Sequence, residues 1–156
     1  MGMIKIGNQF INSSNILQAE IIEIPMYSKE AANGVGFFES FFASASDYME
    51  YYPVLKLVTK TNEDNPRFKF AGLSIDGVGI SNASIPNPNA GLILISNKKG
   101  FKQAAENIIK YWEAHDNYSG ESIKHNAARK FVYTYGNAKF EEIEGDLESY
   151  ADKIFS

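Results

Sequence analysis

Only two histidines, His115 and His125, occur among the 156 residues, and there is no cysteine. Thiol nucleophiles, cysteine zinc sites, iron–sulfur clusters and disulfides are therefore excluded. His115 is followed by Asp116, the order of a His-Asp metal site. Such a site draws another histidine from upstream, and His115 is the first in the chain. No His-x-x-x-His or Glu-x-x-His pair is present to set two ligands on one helical face. No metal and no cofactor is implied. His115 reads as a helix end, where a cation meets the negative pole of the dipole.

Serine chemistry fares no better. Gly72-Leu73-Ser74-Ile75-Asp76 has Asp where a nucleophile elbow needs its second glycine, and it runs into the Asp76-Gly77 turn rather than a helix. Ser96-Asn97-Lys98-Lys99 matches Ser-x-x-Lys, but Ser96 or Asn97 as a helix N-cap accounts for it. No glycine-rich phosphate loop occurs, because Gly77 and Gly79 lack a following Lys-Ser/Thr. What survives is a weaker anion site. Lys98, Lys99 and Lys102 surround the expected start of a helix, whose free amides and positive dipole end attract anions. Lys124, His125, Arg129 and Lys130 form a second cluster on roughly one side of the following segment. Trp112 or Tyr135 could stack on a base. The competing reading is a solvated basic face that balances acidic chain ends.

The elements that must position these groups follow from periodicity. Ile4-Lys5-Ile6 and Gln9-Phe10-Ile11 flank Gly7-Asn8, a hairpin signal, and Ile16 to Pro25 predicts a third strand. From Gly36 to Tyr52 the period becomes helical: Phe37, Phe38, Phe41, Phe42, Ala45, Tyr48, Met49 and Tyr52 share one face, with Pro53 as the stop. Val54 to Thr59 alternates as a strand. Leu73–Ile75 and Val78–Ile80 flank Asp76-Gly77, the strongest hairpin signal, and Leu92 to Ile95 reads as a short central strand. Phe101, Ala104, Ala105, Ile108, Ile109 and Trp112 predict an amphipathic helix from Lys98 to His115. Residues 123–135 suit either helix or strand. Phe140, Ile143, Leu147, Tyr150 and Ile154 predict an acidic C-terminal helix that Gly145 weakens.

Strands followed by helices indicate an α+β fold: an antiparallel sheet or partly closed barrel of 6–7 short strands, an inserted aromatic helix, and C-terminal helices. This order is similar to that of PH-like barrels, with the aromatic helix as an insertion, and no motif accompanies the likeness. The length fits a single domain, residues 1–156.

Seven of the chain's aromatic residues lie between Phe37 and Tyr52. Such a stripe serves as core, yet Phe37, Phe41, Tyr48, Tyr51 and Tyr52 also suit a partner interface. Phe140, Leu147 and Tyr150 of the acidic seam suit docking on the basic segment or on a second chain. The overall charge of −4 hides a pattern: residues 98–130 carry seven basic and four acidic side chains, whereas residues 131–156 carry two and six. The acidic balance argues against nucleic acid. No apolar run approaches a membrane span, and the start lacks the apolar core of a signal peptide, so a cytoplasmic location is expected.

The leading expectation is a non-catalytic binding protein, a small regulator, inhibitor or immunity-type factor acting by protein contact. The alternatives are a binder that sequesters a phosphorylated small ligand or nucleotide, and a small enzyme with a His-based acid–base site. A homodimer is compatible with both interface-prone elements.

Overall fold

Residues 3–7, 9–29, 34, 45–60, 73–75, 78–80, 91–120 and 122–155 are described by the computed structural model. The strands are β1 (Met3–Ile6), β2 (Gln9–Asn12), β3 (Ile16–Tyr27), β4 (Met49–Thr59), β5 (Leu73–Ile75), β6 (Val78–Ile80), β7 (Leu92–Ser96) and β8 (Lys139–Glu142). The helices are α1 (Phe101–His115), α2 (Ile123–Tyr135) and α3 (Leu147–Phe155). A four-stranded sheet has the order β3-β4-β7-β8, with β1-β2 and β5-β6 as separate hairpins. The fold is α+β.

Every residue of β7 is buried. A strand in that position needs apolar cover on both faces, and the alternation of Leu92-Ile93-Leu94-Ile95 supplies it. Leu92 and Leu94 join Ile24, Met26, Val54, Phe101, Ile109, Phe131 and Phe140 in a core under α1 and α2. Ile93 and Ile95 face the other way, where Leu55 and Leu57 meet Ile4 and Ile6 of the first hairpin and Leu147 and Ile154 of α3. The sheet is thus the middle of three layers. The first hairpin is tied to β8 by Gly7 N–H donating to Glu141 Oε2 (3.2 Å) and Lys139 Nζ donating to Gln9 Oε1 (2.7 Å).

Both hairpins, β7 as an inner strand, and α1 agree with the sequence reading, and the ambiguous segment 123–135 is a helix. Other expectations need correction. Ala45–Tyr48 is a 3-10 turn and Met49–Tyr52 opens β4, so this part of the expected aromatic helix is not helical. Pairing overrides the helical spacing: Met49 lies opposite Tyr27 and Tyr52 opposite Ile24. Residues 36–44, with Phe37 and Phe41, lie outside the described residues. Pro53 does not end a helix but sits within β4, one residue beyond the point where β7 stops opposite Val54. There β4 has a single strand neighbour, a position a proline tolerates. Pro25 is likewise carried within β3, on the outer side of the sheet.

The C-terminal seam also divides. Phe140 belongs to β8 and only Leu147–Phe155 is helical. β8 runs parallel to β7, so the sheet is mixed rather than antiparallel. A parallel neighbour requires a crossover of a dozen or more residues, and α1 with α2 supplies it. Gly145 precedes α3 at φ 96°, where a side chain would be strained, so it costs the helix nothing. Asp146 caps α3 by accepting from Ser149 N–H (3.0 Å) and Ser149 Oγ (3.1 Å).

Phe101 is fully buried, with its ring 5.7 Å from that of Tyr52 and 6.1 Å from that of Phe140. Replacing it with alanine is expected to cost about 3–5 kcal/mol in urea denaturation. Leu17→Ala, at a position 61% exposed, changes stability by about 0.5 kcal/mol or less. Equal effects of the two would contradict this core.

Candidate functional site

The helix start expected to bind an anion is already occupied by the chain. Gly100, at φ 91°, turns the backbone into α1 and offers no side-chain cap. The carboxylate that arrives instead comes from the end of β8: Glu142 Oε1 accepts from Lys102 N–H at 2.7 Å. Neither Ser96 nor Asn97 caps the helix. Ser96, fully buried, donates from Oγ to Pro53 O (2.7 Å) and accepts from Lys98 N–H (3.1 Å). Asn97 Nδ2 donates to Gly145 O at 2.8 Å. The positive end of α1 therefore meets a protein carboxylate, which satisfies both its free amide and its dipole.

A cleft of about 560 Å³ opens beside this helix start, between the helices and the ends of β3 and β4. Ala104, Asn107, Ile108 and Tyr111 line it from α1, and their spacing places them on one helical face. Lys124 and Ala128, one turn apart, line it from α2. Lys99 contributes from the turn before α1, and Tyr27, Ser28, Lys29, Glu50 and Tyr52 from the strand ends. Lys124 Nζ stands 4.5 Å from the centre of the Tyr111 ring and 6.0 Å from that of Tyr27.

At one side of the cleft Lys98 Nζ lies 2.6 Å from Glu50 Oε1 and 4.5 Å from the Tyr52 ring centre. Tyr52 OH donates to Glu50 Oε2 at 3.3 Å. The hydrogen bond and charge of Lys98, with the hydroxyls of Tyr52 and Ser28, hold the Glu50 carboxyl below its usual pKa, against the opposing effect of partial burial. Lys98 thus spends its charge on Glu50. Among the described residues Lys99, Lys124 and Lys29 are the cleft's other basic side chains.

The seven basic residues singled out from the sequence do not converge. Lys99 and Lys124 share the cleft, Lys98 stands beside it, and Lys102 does not line it. Arg129 Nη2 donates to Asn126 Oδ1 at 2.9 Å, and with Lys130 it lines grooves on another side of α2. His125 is 2% exposed and points inward. The Trp112 ring is tilted against this chain's own His125, with centroids 5.1 Å apart, and Tyr135 lines a groove away from the cleft. Of the interface candidates, Phe140 and Leu147 are core, Tyr52 is buried, Tyr48 and Tyr150 are half-buried, and Tyr51 is 46% exposed. Sequence reasoning missed Tyr27, Lys29, Glu50 and Asn107 of the cleft. Asn107 and Tyr111 carried a signal, at helical spacing from Ala104.

Neither histidine lines the cleft. His115 Nδ1 lies 2.9 Å from Tyr111 O, and its ring stacks on Tyr111. His125 is boxed by Tyr111, Trp112 and Tyr118, and among the described residues its Nδ1 has no hydrogen-bond partner. Among the described residues no group of three His, Asp or Glu side chains could hold a metal ion. No described helix is long and apolar enough to cross a membrane. Comparison with protein-family models, curated proteins and solved structures returns no match, so the functional reading rests on this geometry.

Two outcomes follow from these contacts. Glu142→Ala, which removes the acceptor at the start of α1, is expected to cost about 0.5–2 kcal/mol in urea denaturation; no change would mean that the cap is immaterial. Burial, then the charges of Arg129 and His115, lower the pKa of His125 from its ordinary 6.5. The unfolded chain therefore binds this proton more readily, and stability falls as pH drops below 6.5. His125→Leu should flatten unfolding midpoints measured between pH 7 and about pH 5. An unchanged slope in the variant would contradict the buried neutral imidazole.

Proposed function

We propose that this chain is a binding protein whose cleft takes a phosphorylated small molecule, with a nucleotide as the fitting class. The supporting observation is the cleft's charge: Lys29, Lys99 and Lys124 line it, and Glu50, the one carboxylate among the described lining residues, is paired with Lys98. Among the described residues no carboxylate is paired with these three lysines, so an anion entering there would meet their charge. Tyr27 lines the cleft with an aromatic ring that a flat body can meet, and Asn107 offers an amide that both donates and accepts. A volume of about 560 Å³ falls within the range of ordinary ligand pockets. The same three lysines that attract phosphate also attract carboxylates, and the charge-assisted contacts favour the more highly charged anion.

Melting temperatures measured with AMP, ADP, ATP, a sugar phosphate and inorganic phosphate test the reading. A bound member present at about a hundred times its Kd stabilises the fold by about 2.7 kcal/mol. The double variant Lys99→Glu/Lys124→Glu should abolish the shift. Lys110→Glu, an exposed position outside the cleft lining, should leave it intact. No shift with any member, or a shift that survives the double variant, would overturn the proposal.

A further inference from the structure

α2 turns a second, different surface outward. Its sequence from Ile123 to Tyr135 holds Lys124, Arg129 and Lys130 and no acidic residue. Pro25, Met49 and Tyr51 from the ends of β3 and β4 face Ile123, Ala127 and Phe131 of α2 across a groove of about 600 Å³. A second groove of about 360 Å³ adjoins it, sharing Asn126, Lys130 and Thr134 and adding Arg129 and Tyr133. Large apolar groups are left in water around this surface: Tyr51 is 46% exposed, Tyr133 42% and Ile123 40%. An apolar trough edged by cations of one sign is not what internal packing alone requires.

We infer that this face of α2 docks an acidic amphipathic segment of another protein. Apolar side chains of that segment enter the groove over Ala127 and Phe131, and its carboxylates lie opposite Arg129 and Lys130. Charge complementarity selects this occupant: the described lining contains Lys130 and Arg129 and no carboxylate. Tyrosines supply contact area at low cost in side-chain entropy, as they do at the centres of interfaces. A second copy of this chain is a poorer match, because the apolar residues Leu147 and Ile154 of its acidic helix α3 are buried in its own core. The docking surface and the phosphate cleft lie on different sides of α2, so the two are separable.

A random-peptide phage library panned on the full-length chain tests this. Enriched peptides are expected to carry net negative charge with apolar residues at i, i+3 or i+4. They should bind the double variant Arg129→Glu/Lys130→Glu at least about tenfold more weakly. Both positions are exposed, and circular dichroism checks that the variant keeps its fold. Binding to the Lys99→Glu/Lys124→Glu cleft variant should be retained. Enrichment of neutral or basic peptides, no enrichment, or equal binding to the Arg129/Lys130 variant would overturn the inference. Loss of binding in the cleft variant alone would move the occupant to the cleft and also overturn it. Sedimentation equilibrium supplies the last arm. A dimer abolished by Ile123→Asp would give the groove to a second copy instead.

Discussion

Burial of β7 on both faces is the constraint from which the rest of the architecture follows. A strand whose five residues are all buried cannot be an edge, so β4 and β8 must flank it. Nor can it leave either face to water, so α1 and α2 cover one side while the first hairpin and α3 cover the other. Because β8 is parallel to β7, the chain must cross from one end of the sheet to the other between them. The two helices that make this crossing also provide the first cover. One short apolar segment therefore dictates sheet order, layer number and connection length together.

The same arrangement decides where an anion can and cannot go. Parallel β7 and β8 end side by side, with Ser96 opposite Glu142. A helix that starts after β7 consequently starts beside the side chain that ends β8. In open α/β sheets that location is the usual ligand crevice. Here the Glu142 carboxylate fills it, and the lysines around the helix start are left to neighbouring surfaces. Lys98 turns to Glu50 and Tyr52, and Lys99 joins Lys124 over the cleft. The cleft is therefore displaced from the strand ends of β7 and β8 toward those of β3 and β4.

Local patterns were legible in the sequence where they governed local structure. The Gly7-Asn8 and Asp76-Gly77 pairs in the sequence marked both hairpins, and the 3-4 spacing from Phe101 to Trp112 marked α1. Patterns failed where two periods fit the same residues. Tyr48, Met49 and Tyr52 continue a helical stripe, yet Tyr52 and Val54 also alternate as strand residues, and the long pairing with β3 decides for the strand. Phe140 fits a heptad seam equally well as a buried position in a short strand. The cleft was legible only in part. Lys99 and Lys124 stood out by charge, but Tyr27, Lys29 and Glu50 reach it through strand pairing that no spacing encodes. His125 looked like one of four cations on a face; its inward aim depends on an aromatic box assembled from α1 and the loop after it.

Electrostatics draws the cleft and the groove along α2 together, and shape separates them. Lys124 and Lys130 are about 9 Å apart along the axis at 1.5 Å per residue, close to the Debye length of about 8–10 Å at moderate salt. Their fields overlap, so charge alone would not distinguish an anion on one side of the helix from one on the other. Discrimination has to come from what surrounds each cation. Lys124 faces Tyr111 and Tyr27 across a cleft closed by two helices and two strand ends, a volume suited to a small rigid ligand. Lys130 borders an open trough floored by Ala127 and Phe131, which extends into a second groove along the helix. An elongated chain segment can cover that length, whereas a metabolite would leave most of its apolar floor in water. Raising the salt concentration weakens the shared field but leaves each shape intact, so the two proposed sites would lose affinity with salt while the choice between the proposed occupants would not change.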